Sequence, residues 1–277
     1  MATTATHMIA FMHIEWNGKE SDIREDGQGP AVLLLHGYPL DGAMWSGVAR
    51  ALATSFRVLK PDLPGRGSTP DPVSGGIEAY ADFVATILES LPAPAGLAGF
   101  SMGGYVALAL MKRRPEKVKA LALVDTRASA DDEAGKEKRV EAITKVRSEG
   151  VGPIAEGMIG KMLAPGSLPR KDLLERLRRI MLRQSPQTVE ADLIAMKERP
   201  DSTAFLSEIP IPTLVVVGEQ DALTPPADSR AMADAIPGAR FVSIPGAGHM
   251  APMEQPRAVA TALADFFGAS LGAARVG

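Results

Sequence analysis

Apolar residues in this chain gather in short continuous runs rather than in an alternating pattern. Val32 to Leu35, Arg57 to Lys60, Gly96 to Ala98, Ala120 to Val124, Thr213 to Val217 and Arg240 to Ile244 read as strands. The central ones are apolar throughout, as expected of strands with helices on both faces of a parallel sheet. Stretches of helical periodicity lie between them: Met44 to Ala53, Ile77 to Ser90, Met102 to Arg113, Ala227 to Ala235 and Pro256 to Phe267. Phe11 to Trp16 and Glu20 to Glu25 read as an opening hairpin that turns at Asn17-Gly18. Strand–helix alternation over this length predicts an α/β fold with a doubly wound, mostly parallel sheet. Ligands then bind outside the carboxyl ends of the strands.

The alternation stops between Arg127 and Leu206. That stretch is helical in pattern, rich in charge and interrupted by Pro153, Pro165, Pro169 and Pro186. It predicts an inserted helical cap at 127–206, dividing the core into 1–126 and 207–277. A cap there would exclude water and shape a pocket; a surface excursion without substrate contact is the plainer alternative. Met158, Met162 and Met181 either line that pocket or pack the core, the commoner use of methionine. Arg176, Arg178, Arg179 and Arg183 read as a solvated helix face, with an anion-recruiting surface as the alternative.

Gly99-Phe100-Ser101-Met102-Gly103-Gly104 follows one strand run and opens a helical one. Strand, G-x-S-x-G and helix is the context of a nucleophile elbow, which lifts a serine on a sharp, strained turn. Side chains at 99 and 103 would collide around that turn, hence glycine at both. Helix N-termini present free N–H groups and favour negative charge. Ser101 is therefore the candidate nucleophile, and it needs a base and an acid to orient the base.

Of the four histidines, only His249 lies after Ser101, in the glycine-rich stretch Pro245-Gly246-Ala247-Gly248-His249-Met250. It is the candidate base. The acid should follow a strand between the two. Asp221, just past Thr213 to Gly218, is the first choice; Glu219 and Asp125 are the alternatives. Asp221 has a plainer reading too, as an Asx-type turn before Leu223-Thr224-Pro225. Donors for a developing oxyanion would be the backbone N–H groups of Met102 and of Tyr38, in His36-Gly37-Tyr38-Pro39. Pro39 has no N–H to offer. His36 is expected to tie this loop down by hydrogen bonds. Gly37, Leu223 and Met250 are candidate pocket residues. Asp62, in Asp62-Leu63-Pro64-Gly65-Arg66-Gly67, is expected to fix a turn rather than to react.

These five stretches, 36–39, 62–67, 99–104, 218–221 and 246–249, resemble the α/β-hydrolase family from end to end of the chain. Within it, His36 to Trp45 (HGYPLDGAMW) and Ala195 to Asp201 (AMKERPD) resemble the branch of 3-oxoadipate enol-lactonases, small-ester carboxylesterases and acyl-homoserine-lactone hydrolases. The resemblance implies ester or lactone hydrolysis through an acyl-enzyme. Haloalkane dehalogenases and epoxide hydrolases resemble the chain too, but they use an aspartate where Ser101 stands. Perhydrolase and carbon–carbon hydrolase chemistry are the enzymatic alternatives. A small-molecule receptor on the same fold is the non-enzymatic one.

Composition narrows the remaining choices. The chain has 277 residues, 45% hydrophobic and 23% charged, with net charge −3. That suits one substantial core and argues against nucleic acid as a partner. Without cysteine there is no disulfide, thiolate metal site or cysteine nucleophile. Residues 1–8 lack the pattern of a signal peptide, and no apolar run approaches the ~20 residues of a membrane span. A cytoplasmic protein with no membrane partner is expected. No motif calls for a cofactor or metal. Expected partners are a small ester or lactone and water; a homodimer is one alternative for the assembly.

Overall fold

The structure is a computed structural model that describes residues 10–69 and 71–272. His7 and the reading of residues 1–8 lie outside the described residues. The hairpin is β1 (Ala10–Trp16) and β2 (Lys19–Asp26), paired antiparallel around Asn17-Gly18. There follow β3 (Ala31–Leu35), α1 (Ser46–Leu52), β4 (Arg57–Lys60), α2 (Gly76–Glu89), β5 (Ala95–Phe100), α3 (Met102–Arg113) and β6 (Val118–Val124). Four helices come next: α4 (Glu133–Glu149), α5 (Gly152–Met162), α6 (Lys171–Leu182) and α7 (Pro186–Glu198). The chain closes with β7 (Thr213–Gly218), α8 (Pro226–Ala235), β8 (Arg240–Ile244), α9 (Ala251–Glu254) and α10 (Pro256–Leu271).

One eight-stranded sheet runs in the order β1-β2-β4-β3-β5-β6-β7-β8. The first two strands are antiparallel to their neighbours and the rest are parallel. The continuous apolar runs now have their reason. Leu33 and Leu35 of β3 enter one apolar layer with α2 and α3, while Val32 and Leu34 enter the other with α1 and α10. In β6, Leu121 and Leu123 face the first layer and Ala120, Ala122 and Val124 the second. Period-two geometry sends neighbours to opposite faces, so a strand covered on both sides must be apolar at every position.

The single helix expected over Met44 to Ala53 is divided. A short 3-10 turn spans Gly42–Trp45 before α1 begins. Asp41 starts that turn early by accepting the Ala43 N–H at 2.9 Å, and the Ser46 hydroxyl donates to the Ala43 carbonyl at 2.7 Å. Short polar side chains compete in this way with regular helix hydrogen bonds.

Helices α4 to α7 occupy the stretch where the alternation stops. Contacts from several side chains fasten them to the sheet unit. Arg66 and Asp192 form a fully buried ion pair, and the Tyr80 hydroxyl donates to Asp192 at 2.7 Å. The Thr188 hydroxyl donates to the Gly65 carbonyl at 2.8 Å. Arg183 reaches Asp41 at 2.7 Å, while inside the stretch itself Asp131 takes Arg127, Arg139 and Arg199 at 2.8, 3.0 and 3.0 Å. Among the described residues, no helix is long and apolar enough to cross a membrane.

Candidate active site

Ser101 stands between β5 and α3 with φ 50° and ψ −117°, outside the comfortable region for an L-residue. Three bonds hold it there. Its N–H donates to the Val124 carbonyl at 3.0 Å, and its carbonyl accepts the Gly104 N–H and the Thr126 hydroxyl, each at 2.8 Å. A Cβ on Gly99 would lie 2.4 Å from the Gly103 carbonyl oxygen, the collision expected from the sequence. A Cβ on Gly103 would instead strike the His36 and Leu35 carbonyl oxygens, at 2.6 and 2.7 Å. Glycine at 103 therefore lets the end of β3 press against the start of α3. Gly37 does the same for the next loop: its Cβ would sit 2.9 Å from that of Ser101.

That approach brings Tyr38 beside the serine. Neither the Tyr38 nor the Met102 N–H donates to a protein acceptor among the described residues. His36 anchors the loop. Its Nε2 accepts the Leu63 N–H at 3.0 Å, so the proton sits on Nδ1, which donates to the Gly37 carbonyl at 2.9 Å. Burial, with the Arg66 charge beside it, holds His36 well below the ordinary histidine range, so it stays neutral. Asp62 accepts the Gly42 N–H at 2.8 Å and braces the neighbouring turn.

His249 reaches the serine from the loop after β8. Ser101 Oγ lies 3.0 Å from His249 Nε2, and His249 Nδ1 lies 2.8 Å from Asp221 Oδ2. Asp221 and His249 are each 3% exposed. Asp221 uses its two oxygens differently. Oδ1 accepts the Leu223 and Thr224 N–H groups at 2.8 and 3.0 Å, which is the Asx turn of the plainer reading. Oδ2 takes the Thr224 hydroxyl at 2.5 Å together with the imidazole. The Asx turn and the contact with the imidazole thus use one oxygen each. Burial pushes its pKa up, but the pull of His249 and the hydrogen bonds from His249 and Thr224 more than offset this, leaving it below the usual carboxylate value.

The other two carboxyls are engaged elsewhere. Glu219 is exposed and accepts the Gly246 N–H at 3.0 Å. Asp125 is fully buried at the end of β6, with φ 45°, and accepts the Gly218 N–H at 2.6 Å. Burial first, then the nearby charges of Asp221 and Glu254, raise its pKa well above the ordinary carboxylate value despite that bond.

A cavity of about 640 Å³ opens over Ser101 and His249. Tyr38, Tyr105, Met158, Met162, Met196 and Leu223 give it apolar surface, and Lys138, Lys145 and Lys161 bring charge to the same wall. Leu223 thus lines the cavity as expected. Gly37 and Met250 stand behind it: Gly37 packs on Ser101, and Met250 is fully buried with its N–H donated to the Met162 carbonyl at 3.0 Å. Of the three methionines, Met181 is fully buried in the core while the other two reach the cavity. The basic run is partly paired, with Arg178 on Glu156 at 2.7 Å and Arg183 on Asp41. Thr224, Thr126 and Glu254 escaped sequence reasoning; only the Asx pattern starting at Asp221 pointed toward Thr224. Among the described residues, no cluster of three or more His, Asp or Glu side chains could hold a metal ion.

A profile for the alpha/beta hydrolase fold matches residues 30–256. A pimeloyl-[acyl-carrier protein] methyl ester esterase from Chromobacterium violaceum is 32% identical over 244 residues, covering 86% of this chain and 94% of that protein. A thermophilic esterase from Thermogutta terrifontis, solved with malate bound, superposes with TM-score 0.87 at 39% identity, covering 94% of this chain and 99% of that one. The enol-lactonase from Burkholderia xenovorans superposes with TM-score 0.85 at 28% identity, covering 93% and 99%. With a profile match over most of its length and a sheet that carries Ser101 on the turn after β5, this chain belongs to the α/β hydrolase fold family.

Proposed function

We propose that this protein is a carboxylic ester hydrolase that cleaves small esters or lactones through an acyl-enzyme on Ser101. His249 Nε2 takes the serine proton as Oγ attacks the carbonyl carbon. The Met102 and Tyr38 N–H groups stabilise the oxyanion, each such donor being worth about 2.7–4 kcal/mol in comparable sites. Protonated His249 then delivers its proton to the leaving alcohol, and water activated by the same imidazole releases the acid. Asp221 keeps the proton on Nδ1 and stabilises the imidazolium. Residues 127–206 act as a cap, supplying Ile154, Met158, Met162, Leu193 and Met196 to the cavity wall. The names of the esterase and enol-lactonase relatives support the substrate class.

One observation carries this reading. Residues 101, 221 and 249, far apart in sequence, meet in one hydrogen-bonded chain with contacts of 3.0 and 2.8 Å at the carboxyl edge of the sheet. A panel of p-nitrophenyl esters, enol-lactones and acyl-homoserine lactones tests it, with Ser101→Ala as control. The expected outcome is steady turnover by the wild type and near-complete loss in Ser101→Ala, with ~10³-fold residual catalysis over water. An unchanged rate in that variant overturns the assignment. A single stoichiometric burst without turnover would favour the receptor alternative.

A further inference from the structure

Glu254 is 2% exposed, and no step above uses it. It ends α9, five residues past His249. Its Oε1 accepts the Gly248 N–H at 2.8 Å and its Oε2 accepts the Ala164 N–H at 2.8 Å. Ala164 lies just beyond α5. Met250, on the other side of His249, donates its N–H to the Met162 carbonyl at 3.0 Å. Both neighbours of His249 are thus tied to residues 162–164, Met250 directly and Gly248 through the Glu254 carboxyl. Arg170 donates to the Glu254 carbonyl at 2.9 Å and holds the carboxyl's own backbone. Packing at the junction is closed: a Cβ on Gly248 would lie 2.5 Å from the Ala164 nitrogen.

The loop needs such support. Gly246 has φ +67°, and two glycines in four residues leave 246–249 little stiffness of its own. A backbone bond from Gln220 N–H to the Ala247 carbonyl, at 2.8 Å, fixes the sheet side only. We propose that Glu254 is a positioning residue for His249: its carboxyl bridges the histidine loop to the end of α5 and sets the imidazole where Nε2 can take the Ser101 proton. This rests on the serine-hydrolase reading above. Because α5 also supplies Ile154, Met158 and Met162 to the cavity wall, the same carboxyl links the wall that meets substrate to the base that acts on it.

Glu254→Gln tests this with no change of volume. One carboxyl oxygen becomes an NH₂ that faces a backbone N–H, so one of the two bridges is replaced by a clash of donors. Displacements of about 1 Å at a reacting group cost on the order of 10²-fold. The expected result is a kcat about 10- to 100-fold lower with KM little changed. The low-field proton resonance of His249 Nδ1–H, bonded to Asp221, should also shift or broaden. A purely structural role would lower the melting temperature and leave both readouts as in wild type; that outcome overturns the proposal. Gly248→Ala forces the same junction apart from the other side and should act in the same direction. Wild-type kcat and resonance in either folded variant refutes the bridge. The Ser101→Ala control keeps the two readings separate. If it retained activity, the serine mechanism would fall, while the resonance would still judge Glu254.

Discussion

Replacing Asp221 by asparagine exchanges a single oxygen for an NH₂ group, and the structure says which one. Oδ1 accepts two backbone N–H groups at 2.8 and 3.0 Å, so the amide oxygen must stay there. The NH₂ then takes the place of Oδ2, facing the Thr224 hydroxyl and His249 Nδ1. The hydroxyl can turn to accept. The imidazole can accept only by moving its proton to Nε2, and Nε2 then has no lone pair for the Ser101 proton 3.0 Å away. The same tautomer error in a serine protease lowers kcat by ~10⁴, and at about 1.36 kcal/mol per decade this is roughly 5.5 kcal/mol of barrier. Folding should suffer far less, about 1–2 kcal/mol, because all four contacts can be remade in some form. Steady-state hydrolysis of a short p-nitrophenyl ester, with a denaturation curve on the same sample, separates the two effects. Glu219→Gln should stay close to wild type, and so should Asp125→Asn, since the amide keeps an oxygen for the Gly218 N–H and Asp125 does not touch the imidazole. Activity within tenfold of wild type in Asp221→Asn would refute this account of the tautomer. A collapse in Asp125→Asn instead would move the acid to the end of β6.

Asp125 also makes a prediction about stability and pH. Its folded pKa is raised, so between the unfolded and folded values the native state keeps a proton that the unfolded chain releases. Stability therefore falls as pH rises above the unfolded value near 3.9, by up to about 1.4 kcal/mol per pH unit, until the folded pKa is reached. Asp125→Asn should remove this slope and gain on wild type in melting temperature as pH rises above 4; a difference that stays constant with pH would refute it. Arg66→Met should strand the Asp192 carboxylate, which is fully buried, at a cost of about 3–5 kcal/mol in urea denaturation. A change under 1 kcal/mol would show that the pair contributes little. Activity against esters of increasing acyl length should peak at roughly two to six carbons, since each buried methylene adds about 0.8 kcal/mol only until the apolar floor is filled. The fastened helices should also give no jump in rate above the micellar threshold; such a jump, or a rate still rising with long chains, would place the enzyme with lipases.

Much of this was legible in the chain itself because local steric rules leave few choices. Continuous apolar runs can be satisfied only by strands covered on both faces, and β3, β5, β6 and β7 are such strands. Glycine at 99 announced a turn too tight for a side chain, whereas glycine at 103 serves the close approach of β3 to α3. The order of Ser101, Asp221 and His249 followed from where each stood relative to a strand end. The sequence put Asp221 first but left Glu219 and Asp125 open, since all three follow strands. That choice depends on which oxygen meets the imidazole and on how burial moves each pKa, and both are set by packing between strands remote in sequence. The division of the first helix, the bridge from Glu254 to Ala164 across 90 residues, and the buried Arg66–Asp192 pair are likewise invisible to local pattern. Local periodicity dictated the elements and the turn that lifts the serine. Long-range contacts decided which carboxyl meets the histidine, because hydrogen bonding and desolvation act through space and not along the chain.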